Sequence, residues 1–326
     1  MRARDSAKLE AAVEALPRMG IHRCPLLLSR APSRFHPPAQ VTIADEYGGF
    51  ALGGNKVRQV DVLLARALSA GADSVVTSAG PQSNFCRVIA AGARAAGLDA
   101  YLVLRGHGLP ERPQGNQRLY VLSGADLTWV DTEDPLDDAQ DEAMRELAEQ
   151  LRQDGRKPAV IDIRAAEAGL VCAAASTAIV SELAATAELP DRIVMAAGSG
   201  NTAAGVLAAI CARRAASTRV RAVATAIESE RLRPRILARA RDVLSFADLD
   251  PDLVQEDLLE IDGDQLGEGH GKVTSAARDA QVRTAQVCGV FLDTTYTAKA
   301  MASLLADSRG GSVVFIHSGG TPTIFT

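Results

Sequence analysis

From Lys56 to the end of the chain, short apolar segments alternate with amphipathic segments of helical spacing, and this alternation is the strongest constraint on the fold. Val57, Val60, Leu63, Leu64 and Ala67 recur one helical turn apart, predicting a helix over 56–70. Strands are expected at 74–77, 100–104, 127–130 and 159–163, with helices at 83–96, 114–123 and 137–154 between them. The second half continues with a helix at 172–188, a strand at 192–197, a helix at 201–214 and a strand at 219–226. Helices at 231–243, 275–287 and 297–305 and a strand at 312–316 complete the pattern. Consecutive strand–helix–strand units need crossover connections, so the expected class is α/β, with parallel sheets covered on both faces. The acidic, Gly-rich stretch 249–271 has no clear period and reads as a surface loop near a site.

The 326 residues allow one large or two ordinary domains. A net charge of −5, with arginines scattered among acidic residues, lacks the basic stripe of a nucleic-acid binder. Cys24, Cys86, Cys172, Cys211 and Cys288 have no metal-ligand spacing, and the histidines do not cluster. No metal is therefore expected, and most of these cysteines are read as buried apolar residues. The charged start Met1-Arg-Ala-Arg-Asp does not resemble a secretory signal, and no apolar run is read as reaching the roughly 20 residues that span a bilayer. A cytoplasmic protein with no membrane partner is the expectation.

Four segments carry candidate chemistry, each where a strand gives way to a turn or helix, which in open α/β sheets is the ligand edge. In Gly53-Gly54-Asn55-Lys56, two glycines allow a tight approach before a lysine at a helix start. Partial desolvation there lowers a lysine pKa and suits imine formation. In Gln82-Ser83-Asn84-Phe85, free amides at a helix N-terminus can receive a carboxylate or ring oxygen. The loop Gly198-Ser199-Gly200-Asn201-Thr202 offers several backbone amides to a phosphate, without the lysine of a Walker loop or the glycine order of a dinucleotide fingerprint. His317-Ser318-Gly319-Gly320 places a hydroxyl after a buried strand. Taken singly, the first, second and fourth read more simply as a surface turn, a Ser83 cap and a C-terminal turn, whereas the third favours a phosphate cradle. Together they supply a nucleophilic lysine, a phosphate site, a carboxylate site and a ring-nitrogen partner, the set that pyridoxal 5'-phosphate (PLP) requires.

These segments, in this order, resemble the D-cysteine desulfhydrase and 1-aminocyclopropane-1-carboxylate deaminase family of PLP-dependent enzymes. Tyr296 within Asp293-Thr-Thr-Tyr-Thr-Ala-Lys299-Ala also resembles that family's late tyrosine motif, and the likeness runs from about Pro25 to the C-terminus. The resemblance implies the tryptophan synthase β-like (fold type II) architecture of two open twisted α/β domains. A smaller one over 58–165 would be inserted into a larger one from 1–57 and 166–326. Lys56 would hold the cofactor and shuttle the substrate α-proton. Asn84 would bond the ring hydroxyl, and Gly198, Ser199, Gly200, Asn201 and Thr202 would hold the phosphate. Gln82 and Ser83 would grip the substrate carboxylate, with Ser83 also a candidate acid or base. Tyr296 would lie against the substrate and Ser318 would meet the pyridine nitrogen. A neutral hydroxyl there makes a milder electron sink, suited to β-elimination or β-replacement.

Four positions depart from the family pattern. Phe85 follows Ser-Asn where histidine is usual, and is taken as a residue shaping the substrate site. His270, between Gly269 and Gly271, replaces a tyrosine and can titrate near neutrality. Asn201 replaces a glycine beside the phosphate. Thr297 also stands where the deaminase-type motif has an acid, which disfavours cyclopropane opening. The expected activity is β-elimination from a small β-substituted amino acid such as D-cysteine, giving a 2-oxo acid and ammonia. A β-replacement synthase and a PLP carrier without turnover remain alternatives, and the resemblance implies a homodimer.

Overall fold

The chain begins with α1 (Arg2–Glu14), β1 (Leu27–Arg30) and β2 (Ala39–Asp45). There follow α2 (Asn55–Ser69), β3 (Ser74–Ala79), α3 (Asn84–Ala95), β4 (Asp99–Arg105), α4 (Gly115–Leu122), β5 (Asp126–Val130), α5 (Ala139–Gln153) and β6 (Pro158–Val160). The remainder comprises α6 (Ala166–Ser176), α7 (Ala178–Thr186), β7 (Arg192–Ala197), α8 (Asn201–Arg213), β8 (Arg219–Ala224) and α9 (Ser229–Phe246). It closes with β9 (Leu259–Asp262), α10 (Ser275–Cys288), α11 (Thr297–Ala306) and β10 (Gly311–His317). This computed structural model describes residues 2–22, 24–36, 38–46, 49–132 and 137–326.

Strands β1-β2-β10-β7-β8-β9 form a six-stranded sheet, and β5-β4-β3-β6 form a four-stranded one. All paired strands are parallel except β1 and β2. The all-parallel expectation therefore fails at that edge, where β1 lies antiparallel with all four residues exposed. Inner strands read as the α/β class demands: β3 and β7 are buried almost end to end because helices cover both faces.

Two further expectations need correction. The stretch 249–271 is not all loop, since Leu259–Asp262 pairs with β8 as an edge strand. The helix expected over 172–188 is two helices that change at Thr177. Together Ala166–Thr186 form 21 residues long and apolar enough, by composition alone, to cross a bilayer, contrary to the sequence reading. Most of that stretch is buried within the protein, α6 packing on α2, α8 and α9. Small side chains allow this: a Cβ added at Gly205 of α8 would come within 2.1 Å of the Ala173 carbonyl oxygen of α6. Cys86, Cys172 and Cys211 are buried as expected, while Cys24 is exposed.

Candidate active site

Parallel strands end on one edge of each sheet, and every segment singled out in the sequence lies there. Gly198 follows β7, Thr225 follows β8, Ser318 follows β10, and Ser83 lies beyond the end of β3 at the start of α3. Lys56 is the second residue of α2. Before it, Ala51, Leu52, Gly53 and Gly54 all have positive φ (48°, 63°, 68° and 95°), a left-handed run that costs strain at the two non-glycine positions. Gly54 meets the end of β10 so closely that a Cβ on Gly319 would lie 2.7 Å from its Cα. The Asn55 amide donates to the Ser318 carbonyl at 3.1 Å, which seats Ser318 beside the lysine turn.

Lys56 Nζ donates to Gln59 Oε1 at 3.0 Å, and Gln59 Nε2 donates to Thr202 Oγ1 at 3.2 Å. Asn55 Nδ2 donates to the same hydroxyl at 2.9 Å. The lysine is thus wired to the first turn of α8 and its glycine loop. Burial lowers the Lys56 pKa, opposed by Cys172 and the Glu46 carboxylate. Glu46 itself is buried and paired with Arg58 at 3.1 Å, and Arg58 also bonds Glu182.

The loop before α8 turns at Gly200 with φ 84° and presents unsatisfied polarity. Asn201 Nδ2 and Thr225 Oγ1 are buried without a hydrogen-bond partner among the described residues. Thr225 Oγ1 would lie 3.9 Å from a Cβ built on Gly198, so both orphans flank one loop. They add to the free amides of the helix N-terminus.

Opposite, Ser83 caps α3, its Oγ accepting from the Cys86 amide at 3.2 Å and leaving the hydroxyl proton to donate elsewhere. Asn84 Oδ1 accepts from Asn116 Nδ2 at 3.0 Å and Arg87 Nη2 at 3.5 Å, which fixes the amide so that Nδ2 is its remaining donor. Gln82 is held by the turn before α4: its Oε1 accepts from the Asn116 amide at 2.8 Å and its Nε2 donates to the Gln114 carbonyl at 3.2 Å. Phe85 is 3% exposed and packs in the apolar core around α2, α3 and β4. Its side chain is a core residue, contrary to the substrate-facing expectation. The spacing Phe85, Val88, Ile89, Gly92 marks the buried face of α3 and carries that signal in the sequence.

His270 and Tyr296 come together, with Nε2 and the phenol oxygen 2.8 Å apart. Burial pushes the Tyr296 pKa up, with Asp293 adding to it. His270 keeps a solvent-facing side, yet the protein packed around it lowers its pKa, helped by Arg105 and Lys299. Tyr296 ends against the glycine loop, its Cε1 lying 3.4 Å from a Cβ built on Gly198.

A family model described as pyridoxal-phosphate dependent enzyme matches residues 18–319. The chain belongs to this family. It is 32% identical over 299 residues to a putative 1-aminocyclopropane-1-carboxylate deaminase of Pyrococcus horikoshii, covering 86% of this chain and 84% of that one. It is 29% identical over 295 residues to the D-cysteine desulfhydrase of Klebsiella pneumoniae, covering 86% of each. A crystal structure of an ACC deaminase homologue superposes with a TM-score of 0.86 at 29% identity, covering 98% of this chain and 96% of that one. The protein is therefore a PLP-dependent lyase of the deaminase and desulfhydrase kind, with a type II fold. The residues present fit that cofactor, because two buried unpaired donors beside a helix N-terminus suit a phosphate ester and a desolvated lysine suits its aldehyde.

Several supporting residues escaped the sequence reading. Arg87, 2% exposed, donates to the carbonyls of Ala51 and Gly53 and so ties α3 to the strained turn before Lys56. Burial drops its pKa to about 10. Gln59, Asn116 and Thr225 lie outside the glycine-marked segments and carry no local signal. Asp293 does carry one, an acid four residues before Thr297 at a helix start.

Proposed function

We propose that this enzyme is a β-eliminating lyase for a small β-substituted amino acid, D-cysteine or a close relative. With D-cysteine and water the products are pyruvate, ammonia and hydrogen sulfide. The observation that carries the reading is the Lys56–Gln59–Thr202 hydrogen-bond chain, which binds a desolvated amine to a phosphate-type loop. Bound PLP supplies an aldehyde that condenses with amines and a ring that takes up the electron pair left by the departing α-proton.

The chain's own residues supply the rest. Loop 198–202, with Asn201 Nδ2 and Thr225 Oγ1, holds the phosphate. Asn84, whose Oδ1 is already engaged, would donate from Nδ2 to the ring hydroxyl oxygen, and the Ser318 hydroxyl would partner the ring nitrogen without contributing a charge. Lys56, with its pKa lowered, is the base that takes the substrate α-proton. Because Gln82 is engaged with the Gln114–Asn116 turn, the Ser83 hydroxyl and the first amides of α3 bear most of the substrate carboxylate. Tyr296 stays protonated and His270 stays neutral near pH 7, so the hydrogen-bonded pair can pass a proton to the departing β-substituent. Cyclopropane opening is disfavoured, since the Thr297 hydroxyl is buried and donates to Asp293 Oδ1 at 2.7 Å rather than lying where an acid would act.

The test is the visible spectrum of the purified protein with PLP, alone and with D- and L-amino acids bearing β-leaving groups, scored for 2-oxo acid and ammonia. A band absent in Lys56→Ala and perturbed by one amino acid, with ammonia released, supports the reading. A colourless protein that takes up no PLP sinks the site assignment. A new amino acid formed from an added thiol, in place of ammonia, makes the enzyme a replacement synthase instead. The homodimer is proposed on family resemblance alone, and sedimentation equilibrium checks it.

A further inference from the structure

Lys299 lies in the first turn of α11, where a cation opposes the helix dipole, and it is 0% exposed. A position this unfavourable for an ammonium group is held by specific acceptors. Lys299 Nζ donates to the Leu266 carbonyl at 2.7 Å and the Gly269 carbonyl at 3.3 Å. Those carbonyls belong to the segment that runs through His270, in which Gly267, Gly269 and Gly271 all have positive φ. A stretch so rich in left-handed glycines has little intrinsic stiffness. Its stem is fixed separately, because Ser303 of α11 donates to Asp262 at the end of β9, and Arg221 bonds Ser303, Asp262 and Asp307. Helix α11 therefore grips the segment at its base through Ser303 and near its tip through Lys299. The same helix carries Tyr296 as its N-cap, three residues before Lys299.

We propose that Lys299 is a positioning residue that clamps the 266–269 segment onto α11 and so holds the His270 imidazole against the Tyr296 phenol. One buried ammonium sets the distance between two groups that arrive from different elements. This rests on the proposed proton-transfer role of the His270–Tyr296 pair. The charged or titratable groups facing His270 are Tyr296 and Lys299 on and beside α11 and Arg105 at the end of β4.

Lys299→Met keeps the buried volume and removes the ammonium that makes both hydrogen bonds. Hydrogen exchange of amides 264–271 and the NMR titration of the His270 imidazole are measured on the PLP-loaded protein, with His270→Asn identifying the resonance among five histidines. The expected result is at least tenfold faster exchange of those amides and a His270 titration moved up toward 6.5, while the PLP absorption band persists. Unchanged exchange together with an unchanged titration overturns the clamp. If Lys299→Met does not fold, the wild type carries the test. The Lys299 ammonium signal and the 266–271 amides must then lose protection together as urea rises below the global transition, and separate loss overturns the clamp. Turnover of D-cysteine by His270→Asn at the wild-type rate would refute the proton-transfer reading, an outcome independent of the exchange data.

Discussion

Replacing Asp293 by asparagine keeps its volume and removes a buried carboxylate that accepts four hydrogen bonds. Oδ2 accepts from the amides of Thr295 and Tyr296 at 2.9 and 2.8 Å, and Oδ1 accepts from the amide and hydroxyl of Thr297 at 2.9 and 2.7 Å. At 1% exposure no water can replace a lost acceptor. An amide has one acceptor end and one donor end, so either orientation sets an NH2 group against two donors. Each orphaned buried donor costs about 1–3 kcal/mol, and losing an anion at the N-terminus of α11 adds roughly 0.3–1 kcal/mol. The Thr297 hydroxyl can rotate away, so the cost falls at the lower end, about 3 kcal/mol. An unfolding entropy of about 2.1 cal/mol/K per residue gives about 0.7 kcal/mol/K over 326 residues, hence a melting temperature lowered by about 4 °C. Calorimetry of the cofactor-free protein, which removes stabilisation by bound ligand, is the assay. Thr297→Val, which loses the bond to Oδ1 and leaves the buried Asp293 amide without its acceptor, serves as the reference and is expected to fall by about half as much. An Asp293→Asn protein melting within a degree of wild type, or no lower than Thr297→Val, would refute the assignment of Asp293 as the cap that sets Tyr296.

Thr202→Val strips Asn55 and Gln59 of their shared acceptor and uncouples Lys56 from loop 198–202; PLP affinity measured by fluorescence titration is expected to weaken about 10- to 100-fold. A change under threefold would disprove the wiring. Gly205→Ala drives a Cβ into the Ala173 carbonyl and is expected to cost at least about 3 kcal/mol in urea titration, and a near-neutral result would show that α6 and α8 can separate. His22 has its pKa lowered to about 4, by burial first and then by Arg58. The unfolded chain therefore binds a proton that the folded chain resists. The associated stability is full above pH 6.5 and is lost as pH falls through 4, by at most about 3 kcal/mol. His22→Gln should flatten that fall in urea midpoints taken between pH 7 and 4.5, and an identical slope would exclude His22 as its source.

Periodicity alone was enough to place most elements after Lys56, because inner parallel strands are apolar runs and the helices between them are amphipathic. It failed where that signal is weak. The edge strand Leu27–Arg30 is wholly exposed and β9 has only one fully buried residue, so neither shows a clear alternation. The apolar helices α6 and α7 read as one because small residues blur any change in register. Glycine-marked turns pointed to Lys56, loop 198–202 and Ser318 as candidates that the fold does bring together, since close backbone approach leaves a compositional trace. Arg87, Gln59 and Asn116 tie the site together through hydrogen bonds to Gly53, Thr202 and Asn84 that span 34, 143 and 32 residues, and no local pattern encodes such a partner. Phe85 shows the opposite error, a motif neighbour whose helical phase turns it into the core.

Strand β10 lies between β2 and β7 in the middle of the six-stranded sheet, whereas all four strands of the other sheet fall between Ser74 and Val160. During synthesis, which proceeds from the N-terminus, the smaller sheet can close with half the chain still unmade. The larger sheet keeps a gap at its centre until Gly311–His317 leaves the ribosome. The same late segment delivers Ser318 and Gly319, which brace Asn55 and Gly54 beside Lys56. If the proposed site holds PLP, its capture is expected to wait for this last strand: a chain cut short before Gly311 would keep Lys56 but lack the Ser318–Gly319 turn that seats it.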